Sequence, residues 1–321
     1  MIYLWWLIFA IILGLIFISG EKVSVLGEKL ALRIGITEGL IGVTLISAIT
    51  SFPELFTGIS AVSIVKDHNM MFGEILGSCI FNLTIVSLMS LMFKRVNLFK
   101  VISERFRITS FLSGVLFLIV AFFLKVRLPS LFFIGIPSLI IIGLYFIILK
   151  IIYDKEFKPK REEEKTDDNL SAIVVKFSFF SLIIIGTGLY LPILAKKIAV
   201  EMNWSSTFMG MLFIAIVTSM PELIVSFAAA KRGLYGIAVG NIFGSIIFNI
   251  LIIAIIDFVY IKGTIWQVES WANFWTAIVV AVISFIAVLS GKFAKNRFMN
   301  IILSLLIVAA YVSVLFLSFK L

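Results

Sequence analysis

Two short segments of the chain combine a carboxylate, two hydroxyl residues and a proline within otherwise apolar sequence. LISAITSFPELFTGIS at 45–60 contains Glu54, and IAIVTSMPELIVSFAA at 214–229 contains Glu222. Aligned on these glutamates, the two segments share the pattern T-S-x-P-E-L. A charged side chain near the centre of a bilayer costs about 2.5–3.5 kcal/mol on insertion scales, so it needs a compensating partner. Neither segment contains a lysine or arginine, which leaves a bound cation or a proton.

The proline in each segment predicts where further oxygen ligands lie. Proline has no backbone N–H, so Pro53 leaves the carbonyl of Ile49 without its helical donor, and the second segment is built in the same way. We expect each helix to kink and to free carbonyl oxygens one turn before its glutamate. Calcium takes about six to eight oxygen ligands in flexible cages, and sodium also binds such oxygens. The hydroxyl groups on these turns belong to Thr50, Ser51, Thr218 and Ser219.

A second pair of segments repeats downstream of the first. GEILGSCIFNLTI at 73–85 matches GNIFGSIIFNILI at 240–252, with nearly the same spacing between the copies as the first pair. Residues four apart share one face of a helix, so the sequence predicts two polar stripes that face the glutamates. The structural alternatives are asparagines that join helices, hydroxyls bonded to their own helix, and glutamates that are protonated. The stripes consist of Ser78, Asn82, Ser245 and Asn249.

Glu74, in the first of these downstream segments, is interpreted differently. It falls in the first turn of its predicted span, where the helix dipole favours a negative charge. We therefore expect a structural role for Glu74.

The composition excludes a soluble domain. Hydrophobic residues make up 61% of the 321 residues, and the mean hydropathy is +1.17. A soluble protein of this composition would expose large apolar patches. Because a helical span needs about 20 apolar residues, the sequence predicts an all-α polytopic membrane protein with ten transmembrane helices in the lipid bilayer. The predicted spans are 2–19, 37–65, 70–93, 109–124, 129–151, 170–194, 207–230, 235–261, 271–291 and 298–318.

The repeats divide the chain into two halves. Five spans precede the charged linker 154–169 and five follow it, so the halves are 1–153 and 170–321. Within the halves, the repeats cover about 39–93 and about 207–261. Because five is odd, the second copy should enter the membrane in the opposite orientation. Inverted repeats of this kind occur in many secondary transporters, whose sites lie near the midplane at broken helices.

Basic residues are distributed unevenly between the two sides that ten spans define. Most of the 27 lysines and arginines fall on the side of the linker 154–169, which the positive-inside rule places in the cytoplasm. Both termini are then outside, in a multi-pass protein of the cell membrane. The net charge of +9 follows this topology and does not indicate a nucleic-acid partner.

Together, the paired T-S-x-P-E and G-S-x-x-x-N segments in two inverted five-span halves resemble the alpha repeats of the sodium/calcium exchanger family, prokaryotic type, within the calcium/cation antiporter superfamily. The resemblance implies that Glu54 and Glu222 coordinate calcium and share the sodium sites. It also implies that carbonyls one turn earlier, near Ser47 and Ala215, complete the cage. The implied sodium ligands are the hydroxyls of Thr50, Ser51, Thr218, Ser219, Ser78 and Ser245.

The chain departs from the family pattern at four positions. Prokaryotic exchangers commonly have an aspartate where Asn249 stands and an asparagine where Glu74 stands. Ile49 and Val217 replace the usual glycine before each Thr-Ser pair. Two carboxylates still neutralise one calcium ion, but the coupling to sodium, potassium, lithium or protons stays open.

The combined prediction is a secondary active antiporter that exchanges sodium for calcium by alternating access and extrudes calcium. The alternatives are a proton/calcium antiporter, a passive cation channel and a non-transporting membrane scaffold. We expect no cofactor and no enzymatic activity, since the chain has one histidine and lacks a G-x-S-x-G motif. We also expect a monomer. By the resemblance, spans one and six slide across the rigid core, and the glycines placed at that contact are Gly14, Gly20, Gly186 and Gly188.

Overall fold

Helices build nearly all of the described chain in the computed structural model, which covers residues 2–33, 46–93, 96–126, 128–156, 169–266, 270–293 and 297–320. The first half contains α1 (Ile2–Arg33), α2 (Ser47–Thr50), α3 (Phe52–Ser63), α4 (His68–Met92), α5 (Leu98–Arg105), α6 (Arg107–Lys125), strands β1 (Ser130–Leu131) and β2 (Ile134–Gly135), and α7 (Ile136–Glu156). The second half contains α8 (Leu170–Met202), α9 (Ser206–Phe208), a π-helical segment (Met209–Ile214), α10 (Ala215–Thr218), α11 (Met220–Lys231), α12 (Tyr235–Val259), α13 (Trp271–Phe293) and α14 (Arg297–Lys320).

Short polar side chains set several of the helix boundaries. Asp67 caps α4 by accepting a hydrogen bond from the backbone N–H of Met70 at 3.0 Å. Ser205 caps α9 in the same way, through the N–H of Phe208 at 3.0 Å. Asn203 ends α8 in the left-handed conformation, with φ 54°. Such residues satisfy backbone groups that have no partner within the helix, so the sequence fixes these ends locally.

The described helices support the predicted membrane fold. Eight of them are long and apolar enough to cross a membrane, and the bent pair Ser206–Thr218 and Met220–Lys231 makes a ninth if it is one span. Ten spans remain a prediction, because 37–65 is described only from residue 46. The start of the first repeat, 39–45, and residues 157–168 of the linker also lie outside the described residues.

The predicted span 129–151 is wrong at its beginning. Ser130 pairs with Gly135 in an antiparallel hairpin, and the chain reverses at Phe132, whose φ is 58°. The helix α7 therefore begins only at Ile136. Pro137 follows in its first turn, where a missing N–H costs no hydrogen bond.

Helices α4 and α12 form the centre of the molecule. They pack against each other, and each packs against both of the helices α3 and α11 that carry the glutamates. Because α4 and α12 are buried on nearly all sides, their polar residues face protein and not lipid. Helices α1 and α8 pack against one another and expose more of their surface.

Candidate cation site

Both T-S-x-P-E segments form a helix break with nearly the same geometry. At Ser51, between α2 and α3, φ is −87° and ψ is 11°. At Ser219, between α10 and α11, φ is −84° and ψ is 7°, and the bend there is 44°. Each break puts the glutamate in the first turn of the following helix, where the backbone dipole favours a negative charge.

The predicted kinks take the form of breaks, because each proline lies at the beginning of a new helix. Pro53 is the second residue of α3, and Pro221 is the second residue of α11. Backbone N–H groups in a first turn have no intrahelical acceptor, so a proline is tolerated there. The break itself falls on the serine two residues earlier.

Glu54 is fully buried and is held by hydroxyls from both repeats. Its Oε1 accepts a hydrogen bond from Ser78 at 3.3 Å, within the same repeat. It accepts a second one from Ser219 at 3.1 Å, a residue of the other repeat. The second carboxylate oxygen, Oε2, is buried without a hydrogen-bond partner among the described residues.

Glu222 has the matching environment. Its Oε1 accepts hydrogen bonds from Ser245 at 3.2 Å and from Ser51 at 3.1 Å. Its Oε2 is likewise buried and has no hydrogen-bond partner in the described part of the chain. Each glutamate is thus bound by the serine that lies three residues before the other glutamate.

The two threonines connect the serines to the helix breaks. Thr50 lies 3.3 Å from the hydroxyl of Ser245, and Thr218 lies 3.4 Å from that of Ser78. Both threonines also donate to a carbonyl three residues earlier, of Ser47 at 3.2 Å and of Ala215 at 3.3 Å.

The carbonyls of Ser47 and Ala215, which were predicted to complete the cage, are engaged locally. Each also accepts a hydrogen bond of 3.0 Å from the backbone N–H four residues later. A carbonyl oxygen has two lone pairs, so both are in use in this conformation. As cation ligands, these two carbonyls stay a prediction.

Asn82 and Asn249 are buried; the amide of Asn82 has no hydrogen-bond partner within the described ranges, whereas Asn249 on α12 contacts the thiol of Cys79 on α4. The structural alternative, in which these residues join helices through hydrogen bonds, therefore stays open for Asn249. Each lies one turn beyond the serine that binds a glutamate, Ser78 or Ser245. A buried amide without partners is costly, so Asn82 fits a role toward a cation or its water.

Sequence reasoning missed Asn241. Its backbone carbonyl accepts from Ser47 at 3.2 Å, and its Oδ1 lies 3.5 Å from the hydroxyl of Thr50. Its Nδ2 donates to Ser226 at 3.1 Å and to the carbonyl of Glu222 at 3.5 Å. The repeat alignment could have found it, because Asn241 occupies the position of Glu74 when the downstream segments 73–85 and 240–252 are aligned.

The prediction that Glu74 lies in the first turn of its helix is wrong. The helix begins at His68, so Glu74 is in the second turn, and it is fully buried. It forms a hydrogen bond with Thr57, one turn beyond Glu54. Asp67 at the N-cap starts the helix earlier than hydropathy alone indicates, because it satisfies the N–H of Met70.

Two of the four glycines assigned to the sliding contact lie against the helix breaks. A Cβ on Gly20 of α1 would stand 2.4 Å from the ring of Pro221. A Cβ on Gly188 of α8 would stand 3.1 Å from Phe56 and 3.6 Å from the carbonyl of Pro53. At Gly14 and Gly186, the described residues leave open space at that position.

The site is rich in oxygen and poor in positive charge. Within the described residues, no three His, Cys, Asp or Glu side chains are close enough to hold a metal together. Hydroxyls, amides and carbonyls would have to complete the coordination of any ion bound between the two glutamates. Such oxygen sets suit calcium and sodium, not the transition metals that prefer nitrogen or sulfur.

A buried set of oxygens between two similar halves of a polytopic membrane protein defines an ion transporter. The family described as sodium/calcium exchanger protein matches residues 3–153 and 171–320. The chain therefore belongs to the sodium/calcium exchanger protein family, a family of cation antiporters.

Individual relatives agree with this assignment. The chain is 34% identical over 251 residues to "Uncharacterized membrane protein MJ0091" of Methanocaldococcus jannaschii, a match that covers 74% of this chain and 77% of that protein. A structure of the sodium-calcium exchanger NCX_Mj, soaked with sodium and without calcium, has a TM-score of 0.63 at 23% identity and 98% coverage of both chains. A structure of native YfkE has a TM-score of 0.67 at 18% identity, and covers 98% of this chain and 92% of that one. The two solved structures show that the chain shares their fold.

Proposed function

We propose that the protein exchanges sodium for calcium by alternating access and extrudes calcium from the cell. The crossed hydrogen bonds of the two glutamates carry this proposal. Each glutamate keeps one carboxylate oxygen buried without a partner among the described residues, and burying such a group is unfavourable unless a cation or a proton engages it. Serine hydroxyls from both repeats surround the pair. Calcium and sodium would compete for these oxygens, and that competition couples their movements.

A sodium gradient is sufficient for calcium extrusion. A tenfold gradient supplies about 1.4 kcal/mol per sodium ion, and one net charge adds about 2.3 kcal/mol per 100 mV. Three sodium ions per calcium would thus supply about 6.5 kcal/mol. A calcium gradient of about four orders of magnitude costs about 5.6 kcal/mol, so the exchange can run outward.

Alternating access would come from α1 and α8 sliding over the helix breaks. These two long helices pack against one another outside the buried centre. Each also approaches the helix that carries one glutamate, through Gly20 at Pro221 and Gly188 at Pro53. Glycine removes the side chain that would interlock the surfaces, which suits a contact that must slide.

The orientation follows from the charges: the linker 154–169 is cytoplasmic and both termini are outside, by the positive-inside rule. The two halves, 1–153 and 170–321, are inverted copies of five spans each. One copy of the chain supplies both glutamates, so we propose a monomer as the working unit.

Uptake of labelled calcium into proteoliposomes tests the proposal. Vesicles loaded with sodium and diluted into sodium-free medium should accumulate calcium, while vesicles loaded with potassium or lithium should not. Uptake driven by a pH jump and not by sodium would contradict sodium coupling. Calcium flux without any counter-ion would indicate a channel, and no flux under any condition would indicate a scaffold.

Proton/calcium exchange is the second candidate, and one observation favours it. Glu74 is a third fully buried carboxyl group, and its Oε2 has no hydrogen-bond partner among the residues that the structure describes. The pH arm of the uptake experiment distinguishes this candidate from the first.

A further inference from the structure

Pro192 interrupts the hydrogen-bond ladder of α8. It lies inside the helix Leu170–Met202, and because proline has no backbone N–H, the carbonyl of Gly188 receives no helical hydrogen bond. Sharp bends in long helices occur mainly where such a bond is missing. Just beyond Gly188, the carbonyl of Leu189 accepts a hydrogen bond from Ser60 of α3 at 2.6 Å. The helix is therefore fixed to α3 before Pro192 and weakened at Pro192 itself.

Residues 193–202 of α8 form an arm beyond this weak point. The arm ends at Asn203, where the chain adopts the left-handed conformation. An ion pair holds the arm in place, since Lys196 donates to Asp67 at 2.6 Å and also to Ser206 at 2.8 Å. Lys196 is partly exposed, and ion pairs that water can reach contribute little to stability. The attachment of the arm can therefore open and close reversibly.

A cavity of about 660 Å³ lies beside the arm. Its far wall consists of Trp5 on α1 and of Ile64 and Val65, which follow α3. The arm residues that line it are Ile193, Lys196, Lys197, Val200 and Glu201. Protein interiors are packed about as densely as crystals of small molecules, so a gap of this size gives the arm room to move.

The corresponding positions of the other repeat have neither the proline nor the acid. Pro192 corresponds to Ser24 of α1, at the same separation along the chain as the two site glutamates. Serine has a backbone N–H, and the hydroxyl of Ser24 also donates to the carbonyl of Gly20 at 2.8 Å. In place of Asp67, the spacing of the downstream segments puts Leu234, the N-cap of α12. The weak point and its ion pair therefore belong to one end of the molecule only.

We infer that residues 193–202 turn about Pro192 into the cavity when the ion pair between Lys196 and Asp67 opens. The part of α8 before Pro192 keeps its contact with α3 during this turn. Hinges are a few residues that absorb a change in backbone angles, and Pro192 with the free carbonyl of Gly188 supplies such a place. This inference rests on the proposed alternating access. It adds a separate movement at the end of α8 that the positive-inside rule places outside.

Distances between spin labels test the movement in the full-length protein, reconstituted in lipid nanodiscs. One label pair joins Val200→Cys on the arm to Ile261→Cys beyond α12, and both native residues are exposed. The native Cys79 is buried and should take up little label. Asp67→Asn keeps the N-cap but removes the charge that holds Lys196. The ratio of a second distance to the wild-type distance should rise by about two- to fivefold.

A second label pair and a second variant distinguish a hinge from a rigid helix. Leu182→Cys lies on α8 before Pro192, Met92→Cys lies at the end of α4, and both native residues are exposed. This pair should keep its distance in Asp67→Asn, because only the arm moves. In the same background, Pro192→Ala restores the missing N–H and should remove the second distance from the first pair. Equal shifts of both pairs, or no shift of the first pair, would overturn the inference.

Filling the cavity provides a further test. Ile64→Trp enlarges an exposed side chain of the cavity wall and should suppress the second distance in the Asp67→Asn background. The matched control is Leu4→Trp, at an exposed position of α1 that does not line the cavity, and it should leave the second distance unchanged. Equal effects of the two tryptophans would contradict a movement into the cavity.

A control for charge and a separate transport assay complete the experiment. Glu104→Gln removes an acid from an exposed ion pair and should leave the distances of both label pairs unchanged. Sodium-driven calcium uptake by the wild type is measured independently of the labels. Failure of the proposed exchange would appear in that uptake, whereas failure of the hinge would appear in the distances.

Discussion

At the residue scale, the two glutamates depend on each other's repeat. Ser219 donates to Glu54 and Ser51 donates to Glu222, both at 3.1 Å. Hydrogen bonds to a charged group contribute about 1.5–3 kcal/mol, roughly twice a neutral one. Neither half of the chain holds a complete site, so the site exists only when both helix breaks are folded and adjacent.

Neutralising either glutamate should abolish exchange. Glu54→Gln and Glu222→Gln keep the size and most hydrogen bonds of the side chain, but they remove the charge that a cation needs. Changes to residues that only support the ligands of a metal already cost about 10–100-fold in affinity, so we expect sodium-driven calcium uptake to fall more than about 100-fold. Wild-type uptake by a monodisperse variant would remove that glutamate from the site.

Removing the crossed hydroxyls should weaken calcium binding without unfolding the protein. Ser51→Ala and Ser219→Ala each remove one hydrogen bond to a glutamate, worth about 1.5–3 kcal/mol if the glutamate is charged. The calcium concentration for half-maximal uptake should rise by about tenfold or more, and by similar factors in the two variants. The matched control is Ser87→Ala, a buried serine of α4 whose hydroxyl donates to the carbonyl of Leu83 in its own helix. An effect as large at Ser87 would mean that helix packing, not the site, is being measured.

At the element scale, the broken helices and the two long helices that cross them are the distinctive parts. The breaks at Ser51 and Ser219 have nearly equal backbone angles. The helices α1 and α8 approach them at positions that correspond under the repeat, since Gly20 and Gly188 are separated by the same stretch of chain as Glu54 and Glu222. A Cβ on Gly20 would press on the ring of Pro221, which fixes the backbone there, and a Cβ on Gly188 would press on the side chain of Phe56.

Alanine substitutions should distinguish the two glycines that lie in close contact from the two that do not. Gly20→Ala brings a methyl group to 2.4 Å from Pro221, and Gly188→Ala brings one to 3.1 Å from Phe56. Both should slow calcium uptake, Gly20→Ala the more strongly, because the contact must slide. Gly14→Ala and Gly186→Ala place their methyl groups in space that the described residues leave open and should transport normally. If all four variants transported calcium at the same rate, the proposal that the sliding contact lies at Gly20 and Gly188 would be wrong.

At the scale of the whole molecule, one ion pair ties α8 to the helix α4. Lys196 donates to Asp67 at 2.6 Å and to Ser206 at 2.8 Å. Burial alone would raise the pKa of Asp67, but hydrogen bonds from Lys196, from Ser206 and from the backbone N–H of Met70 hold it below its ordinary value. The pair therefore joins α8, a helix that is proposed to slide, to the N-cap of the central helix α4.

The stability that Asp67 contributes should depend on pH. Because its pKa is lowered on folding, the contribution is complete above the unfolded pKa and is lost as the pH falls through the folded one. Asp67→Asn keeps the N-cap and should cost about 1 kcal/mol or less at neutral pH, since Lys196 is partly exposed. Thermal unfolding in detergent should show the difference vanishing in acid. Glu104→Gln, in an exposed pair, should leave thermal unfolding unchanged both at neutral pH and in acid.

The topology of the molecule can be read by cysteine labelling. The single native cysteine, Cys79, is buried, so its background should be low. Asp154→Cys at the end of α7 should react with an impermeant reagent only from the cytoplasmic side, and Lys262→Cys, beyond α12, only from outside. Both native residues are exposed. The opposite pattern would reverse the proposed orientation.

Local properties of the chain predicted much of this arrangement. Hydropathy located the helices because a span must bury its backbone and show apolar side chains to lipid. The T-S-x-P-E repeat located both glutamates, because a carboxylate in apolar sequence is costly wherever the fold puts it. Glu74 was misjudged, since its N-terminal position in the span hides the fact that the capping by Asp67 starts the helix earlier.

The sequence by itself determined the membrane class, the two repeats and the acids that pair with them, because composition, periodicity and repeat spacing are properties of short segments. Only the tertiary structure decided which serine serves which glutamate, that Asn241 joins the network, and that Gly20 meets Pro221. The bond from Ser51 to Glu222 spans 171 residues. No local preference specifies such a contact. It exists because the buried helices α4 and α12 hold the two breaks together, and that packing is settled by the whole chain at once.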